Sequence, residues 1–363
     1  MGAVSALITP AELYPGGAGQ PAFTLLDVRA PTEVAAGALP FAALQPILTD
    51  DERRQVGIRY REAGQAEAVK LGYALTEATM PERVAAWREV AAAGPTALMC
   101  WRGGLRSQLA GEFIGTHSGG EQVTRVAGGY KAVRNYLLEQ LEPTLTRYDT
   151  FVVGGLTGSG KTALLERLKG VRNLRVLDLE HEARHRGSAF GRLAEPQPAQ
   201  ATFENSVAAQ LLLGREKLLV LEDESRAIGR IDLPDVLFQA VQENPLVLVE
   251  TPLAERVRRI HQDYVLSLSA SLGVAETRAY LSASLVRLRK RLSGGVTDAA
   301  LRVLEGAEAS GWQDPDAHEG WITPLLERYY DPLYRKGIAK SARPVAFSGD
   351  LEACYTWLNR RSN

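Results

Sequence analysis

Phe151-Val-Val-Gly-Gly155-Leu-Thr-Gly-Ser-Gly160-Lys161-Thr162-Ala-Leu-Leu-Glu-Arg-Leu168 decides the fold of the larger part of this chain. The apolar run Phe151–Val153 reads as a buried strand, and Ala163–Leu168 has the apolar period of a helix. The turn between them matches G-x-x-x-x-G-K-[ST] in full and in the strand–turn–helix context that motif requires. Its glycines let successive backbone N–H groups turn inward on a polyphosphate, and the helix adds the partial positive charge of its N-terminus. Gly155, Thr157, Gly158, Ser159, Gly160, Lys161 and Thr162 are the candidate diphosphate-binding residues. Lys161 would reach the terminal phosphate, and the Thr162 hydroxyl can ligate Mg²⁺. Leu218-Leu-Val-Leu-Glu222-Asp223-Glu224 is an apolar run ending in acids, so Glu222, Asp223 and Glu224 join Thr162 as possible magnesium residues. No Asn-Lys-x-Asp or aromatic base-reading motif selects ATP or GTP.

Further strands are expected at Asn173–Asp178, Leu218–Leu221, Pro245–Val249 and Pro344–Phe347, with a long helical region, roughly Leu253 to Leu304, between the last two. Upstream, strands are expected at Phe23–Val28, Pro95–Cys100 and Gln122–Val126. Helices are expected at Pro81–Val90 and from Lys131 to Leu141, the second stopping before Pro143. Strand–helix alternation implies α/β units with mainly parallel sheets. The break at Pro143 and the new strand at Asp149 divide the chain into a domain 1–144 and a domain 145–363. The second is an α/β P-loop domain with a helical insertion.

The chain has 363 residues, 45% hydrophobic and 23% charged, with a net charge of −1. That length fits two globular domains. No apolar run is long enough to span a membrane. Met1 to Glu12 lacks the basic and apolar regions of a secretory signal. Cys100 and Cys354 are the only cysteines, which excludes a disulfide framework and a structural metal site and fits the reducing cytoplasm. Residues 1–145 carry 13 Lys and Arg against 15 Asp and Glu, and the remainder 29 against 28. Bulk charge therefore names no partner, although a local basic face is still open.

Cys100-Trp-Arg102-Gly103-Gly104-Leu105-Arg106-Ser107 ends one strand and opens a helix. A thiol there faces backbone N–H groups and a helix N-terminus, with Arg102 and Arg106 adding positive charge. Each favours the thiolate, so Cys100 is the candidate nucleophile. Arg102, Gly103, Gly104, Leu105 and Arg106 form an oxyanion-holding loop around it. Asp27 and Arg29, at the end of an earlier strand, can support such a loop by ion pairing.

Leu-Asp27-Val-Arg29-x-x-x-Glu33 together with the Cys100 loop resembles a rhodanese domain, a sulfur- or selenium-transfer module with a parallel sheet. The loop reads C-x-x-G-G-x-R, one residue longer than the usual rhodanese loop, which suits a tetrahedral, phosphate-bearing donor. A rhodanese-like domain ahead of a P-loop domain resembles the tRNA 2-selenouridine synthase family. Asp51 to Tyr60, Gly128-Gly-Tyr-Lys131, His185-Arg-Gly-Ser-Ala-Phe-Gly191, Pro196-Gln-Pro198, Phe203-Glu204, Glu222 to Gly229 and Tyr329-Tyr-Asp-Pro332 carry that likeness along nearly the whole chain.

The resemblance implies a cytoplasmic, non-membrane transferase that converts wobble 2-thiouridine of tRNA to 2-selenouridine. Selenophosphate would be the selenium donor, and an S-geranyl-2-thiouridine would be made first from geranyl diphosphate. The P-loop would then hold the diphosphate, with Mg²⁺ possible, and Cys100 would serve selenation. The Leu/Val-rich helices after Leu253 are the expected geranyl groove. Arg184, Arg186, Arg256, Arg259, Arg287 and Arg291 are expected to contact tRNA, with Tyr264, Trp321, Tyr329 and Tyr330 available for base stacking. The residues by themselves also admit a nucleotide-dependent sulfurtransferase, a P-loop kinase with a rhodanese regulatory domain, or a non-enzymatic oxyanion sensor.

Overall fold

The computed structural model describes residues 6–117 and 123–362. Gln122, the first residue of the expected third strand, lies outside them. The chain divides into two compact units. One comprises the residues up to 144 together with 199–215, and the other comprises 145–198 and the residues from 216 onward.

The first unit is built on β1 (Leu7–Ile8), β2 (Thr24–Asp27), β3 (Ala42–Leu44), β4 (Thr96–Met99) and β5 (Val123–Val126). Their order is β1-β5-β4-β2-β3, with every pairing parallel. Leu25, Leu26, Leu98 and Met99 are fully buried, as strands covered on both faces must be. The chain runs from β2 outward to β3 and then crosses to β4 on the other side. Asp27 and Met99 therefore end adjacent strands at the switch point of the sheet, where open parallel sheets bind ligands.

The helices of this stretch are α1 (Pro10–Leu13), α2 (Pro31–Ala35), α3 (Asp50–Thr76), α4 (Met80–Ala92), α5 (Leu105–His117), α6 (Gly129–Glu139) and α7 (Leu141–Leu145). Thr49 and Glu52 form a capping box that starts α3, each satisfying an orphan N–H of the other's backbone. Pro143 does not end helical structure as expected. It lies in the first turn of α7, where its missing N–H has no partner to lose.

The second unit opens with β6 (Asp149–Gly154), α8 (Lys161–Leu168), β7 (Leu174–Leu177) and α9 (Leu179–Ala183). The chain then returns to the first unit as α10 (Gln200–Leu213). Phe203, Val207, Leu211 and the polar Asn205 are all buried on this helix. A helix apolar on most sides needs cover on most sides. Its polar groups also find partners in the first unit. Ala38 N–H donates to Thr202 Oγ1 at 3.0 Å, Asn205 Nδ2 donates to the Ala38 carbonyl at 2.7 Å, and Arg134 pairs with Glu204. A single cut at 144/145 therefore assigns residues 199–215 to the wrong unit.

The second unit continues with β8 (Leu218–Glu222), a small antiparallel ribbon of β9 (Ala227–Ile228) and β10 (Ile231–Asp232), α11 (Asp235–Glu243), β11 (Leu246–Val249) and finally β12 (Val345–Gly349). The sheet order is β12-β11-β6-β8-β7, all parallel, with β6 central. Helices fill the interval from α12 (Leu253–Ile260) to Lys340, so the helical insertion is longer than expected. Val257, Val265, Leu281, Leu285, Trp321 and Ile322 form its own core. Two π-helical turns interrupt it, at His261–Leu266 and Leu326–Tyr330. Among the described residues no helix is long and apolar enough to cross a membrane.

In the first unit Arg29 is fully buried and clamps Asp27, with Nε and Nη2 2.7–3.0 Å from the carboxylate oxygens. It also donates to the carbonyls of Glu33 and Gly37. Removing one partner of a buried pair strands the other charge. Asp27→Ala is expected to lower the unfolding free energy by about 3–5 kcal/mol in urea denaturation. A loss below about 1 kcal/mol, the worth of an exposed pair, would contradict this account.

Candidate functional site

Cys100 follows β4 directly and is 3% exposed. Its Sγ lies 3.4 Å from Ser107 Oγ and 3.9 Å from the Gly104 carbonyl. Behind it, Gly128-Gly129-Tyr130-Lys131 forms the back wall of the loop. Tyr130 N–H donates to the Cys100 carbonyl at 2.9 Å, and Lys131 N–H to that of Trp101 at 3.2 Å. Gly129, at φ +58°, has no room for a β-carbon, which would collide with the Cys100 carbonyl and the Gly103 nitrogen. Gly103 is in turn pressed against Gly128, Gly129 and the Val126 carbonyl. Two glycine backbones pack where side chains would hold the loop apart, and this makes the bend tight.

The charges differ from the sequence expectation. Arg102 is exposed at the loop. Arg106 turns away into a bidentate pair with Glu33, at 2.6 and 3.0 Å. Burial would raise the Glu33 carboxyl, but Arg106, the Ala30 N–H and Arg53 hold it below the usual glutamate range. Arg106 therefore braces the loop against α2 and does not stand as a free charge over the thiol. Arg29 also supports the wall, with its guanidinium 3.9 Å from the centre of the Tyr130 ring.

In the second unit, Gly155 to Thr162 joins the central strand β6 to α8. Gly158 and Gly160 take φ values of +79° and +96°, a region glycine enters without a steric cost. The Lys161 Nζ lies 3.5 Å from the Gly155 carbonyl. Removal from water pushes its pKa down, but Glu222, Glu224, Glu180 and Asp223 hold it above the ordinary lysine value. Burial, reinforced by mutual repulsion, drives Glu222 well above a normal carboxyl and Glu224 to about 8, and it raises Glu180 as well. One oxygen from each of Glu180, Glu222 and Glu224 falls within 4.8 Å of the others. Glu222 Oε2 accepts the Glu180 N–H, while Glu222 Oε1 is buried with no hydrogen-bond partner among the described residues.

Of the acids expected here, Asp223 leaves the set. Its carboxylate takes Arg343 at 2.8 Å and the Tyr334 hydroxyl at 3.0 Å, and Tyr334 itself receives the Gly155 N–H at 2.6 Å. Residues 222–224 alternate across a strand end, so the middle acid points elsewhere. Glu180 was missed. Its signal was available, since it is an acid just beyond the carboxyl end of a parallel strand, two residues after Asp178. Tyr334 and Arg343 had no local signal, because each arrives from beyond the helical insertion.

The arginines expected at tRNA part company. Arg256 is 3% exposed, bound to Asp331 at 2.5 and 2.9 Å and to the Thr157 carbonyl at 2.9 Å. Arg259 donates to the Ser159 carbonyl at 2.7 Å, as does Thr251. Both arginines brace the P-loop, and Arg256 is closed to any phosphate backbone. Trp321 is likewise buried, with Nε1 on His318, so it offers no stacking face. Arg184 is exposed beside Glu195. Arg186 faces Asp263 and lies 5.1 Å from the Tyr264 ring. Arg287 donates to the Ala189 carbonyl at 3.3 Å, and Arg291 to the Tyr329 hydroxyl at 2.8 Å. The structure thus gathers Arg186 and Arg287 at the loop His185–Arg192.

A family model described as the tRNA 2-selenouridine synthase AAA domain matches residues 148–363. A tRNA 2-selenouridine synthase of Cupriavidus pinatubonensis is 42% identical, the match covering 93% of this chain and 95% of that one. One from Ectopseudomonas mendocina is 40% identical over 93% of each chain. One from Pseudomonas aeruginosa is 41% identical over 93% of this chain and 94% of its own.

The raised carboxyls set a pH dependence. Folded Glu224 keeps its proton up to about pH 8, whereas the unfolded residue loses it near 4.5. The native state thus binds more protons across that window, and this site costs stability as pH rises through it. Glu224→Gln is expected to flatten the fall in urea-denaturation free energy between about pH 5 and 8, and to exceed the parent in stability above it. An unchanged slope would show that Glu224 titrates normally.

Proposed function

This chain belongs to the tRNA 2-selenouridine synthase family, enzymes of tRNA modification, and from that premise we propose that it exchanges the sulfur of wobble 2-thiouridine for selenium in two steps, each at its own anion-binding loop. In the first, the thiocarbonyl sulfur attacks C1 of geranyl diphosphate. A C–S bond forms, the C–O bond breaks and diphosphate leaves. A thiocarbonyl sulfur departs poorly, and alkylation turns it into a good leaving group. In the second, selenium from selenophosphate attacks C2 of the base, and the tetrahedral adduct expels geranylthiol. Water then cleaves the P–Se bond and releases phosphate.

The observation that carries this reading is the pairing, in one chain, of a P-loop lysine surrounded by buried acidic side chains with a cysteine seated in a glycine-walled loop. Geranyl transfer needs no protein nucleophile. It needs positive charge and N–H donors where negative charge accumulates on the departing diphosphate, and Lys161 with the amides of Gly158, Gly160, Lys161 and Thr162 supplies them, the Ser159 N–H being held by the Leu156 carbonyl. Arg259 and Thr251, bonded to the Ser159 carbonyl, hold those amides in place. Glu222 Oε1, buried and unpartnered, fits a cation ligand, and Thr162 and Glu222 would hold magnesium. When bound, the ion neutralises charge on the diphosphate.

The first unit is read as the rhodanese-like, selenium-handling part. Cys100 positions the selenium of the donor for its attack on C2, and the loop amides with Arg102 receive the donor's phosphate. Arg184, Arg186, Arg259, Arg287 and Arg291 are the remaining tRNA residues of this reading. A tRNA substrate places the enzyme in the cytoplasm.

Nucleoside mass spectrometry of a 2-thiouridine-bearing tRNA separates the steps. Lys161→Ala is expected to slow geranylation by about 10²–10³-fold, the usual cost of one lost donor to developing negative charge. Cys100→Ala is expected to leave S-geranyl-2-thiouridine formation intact and abolish 2-selenouridine. If Lys161→Ala leaves both products unchanged, the P-loop assignment is wrong.

A further inference from the structure

We infer that the first unit contains the binding site for the hydrocarbon chain of the alkylated base, in an apolar cavity beside the Cys100 loop. This rests on the two-step reading above. The cavity has a volume of about 210 Å³ and lies between α3, α4 and α5, with Val56, Val69, Met80, Leu109 and Phe113 among its walls. Gly64, at φ +81°, breaks α3, and residues from both sides of that break line the cavity.

Three observations select the occupant. The first is position. Leu105 and Arg106 line the cavity, and the same two residues complete the loop that begins at Cys100. Cys100 itself packs in the same hydrophobic cluster as the wall residues Ile47, Leu48, Leu109 and Phe113. The second is chemistry. The walls are almost wholly hydrocarbon, and the one charged group at the rim, Arg106, is already paired with Glu33. The cavity therefore offers no counter-charge to a phosphate or a nucleotide, and it favours an uncharged apolar chain. The third is size and access. A dry cavity of about 150 Å³ holds benzene, so this one takes a longer branched chain. Tyr60 and Tyr73, 56% and 46% exposed, also line it. Large aromatic side chains left in water beside an apolar opening indicate a surface that something covers.

The helices after Leu253, where the sequence placed the groove, spend their apolar side chains on their own core. Leu281, Leu285, Leu304 and Ile322 are fully buried there. The chain of the S-geranyl base is the apolar moiety that must be held while selenium is delivered. Anchoring it in the cavity presents the thioether and C2 at the mouth, beside the loop, and receives the leaving geranylthiol.

The test uses the full-length enzyme and an anticodon stem-loop carrying S-geranyl-2-thiouridine with a photoreactive diazirine at the far end of the chain. Irradiation is expected to place adducts on peptides of α3, α4 or α5. Val69→Trp, which fills the cavity, is expected to remove them. Adducts confined to residues 253–340 would overturn the assignment. As a second measurement on the unmodified protein, kcat/KM for selenation is expected to fall at least a hundredfold from the S-geranyl to the S-methyl substrate, since each buried methylene contributes about fourfold. Equal rates would also overturn it. If the S-geranyl substrate gives no 2-selenouridine at all, the two-step reading fails and this inference with it. If it is converted without adducts in the cavity, only the cavity assignment fails.

Discussion

Each of the two glycine-rich loops is held from behind by a buried arginine clamped on an aspartate. Arg29 with Asp27 stands behind the cysteine loop, and Arg256 with Asp331 behind the P-loop. A loop that presents N–H groups to an anion turns its carbonyls outward, and those carbonyls need donors. Arg256 supplies one to Thr157 and Arg259 one to Ser159. On the other side, Tyr130 and Lys131 supply theirs to Cys100 and Trp101. The buried pairs add little net stability as such, because desolvation offsets their attraction. Their effect is to fix the loops in one shape before any ligand arrives, which lowers the cost of binding it.

The second loop carries an electrostatic tension the first lacks. The carboxyls of Glu180, Glu222 and Glu224 cluster near Lys161. Burial and repulsion raise their pKa values, while their field keeps the lysine charged. An anion bound at the loop would meet a fixed positive charge, and a cation would relieve the repulsion among the acids. Such stored strain in the charges is common where binding is the function and is uncommon in ordinary core.

The sequence revealed some parts of the site and hid others. The P-loop, the cysteine loop and the terminal acids of β8 were legible because each is a local pattern whose chemistry follows from spacing. Arg256 was misread, since a basic helix face and a brace for a neighbouring loop look alike until the partner carbonyls are known. Asp223 was misread for the same reason: only Arg343 and Tyr334, more than a hundred residues away, show that its charge is spent. The apolar cavity beside Cys100 was not legible at all. Its walls come from three helices, and no single stretch shows more than an ordinary amphipathic face.

By itself the sequence determined the local chemistry of this protein. It set the strand–turn–helix of the P-loop, the thiol at a strand end, and the apolar runs that pair as parallel strands. These follow from backbone geometry and side-chain period within about twenty residues. The tertiary structure decided which charges remain free, which unit receives α10, and where an apolar chain can lie. Those depend on contacts between residues far apart in the chain. A buried charge, an all-round apolar helix or a cavity wall is defined by what packs against it, and a linear pattern does not record that.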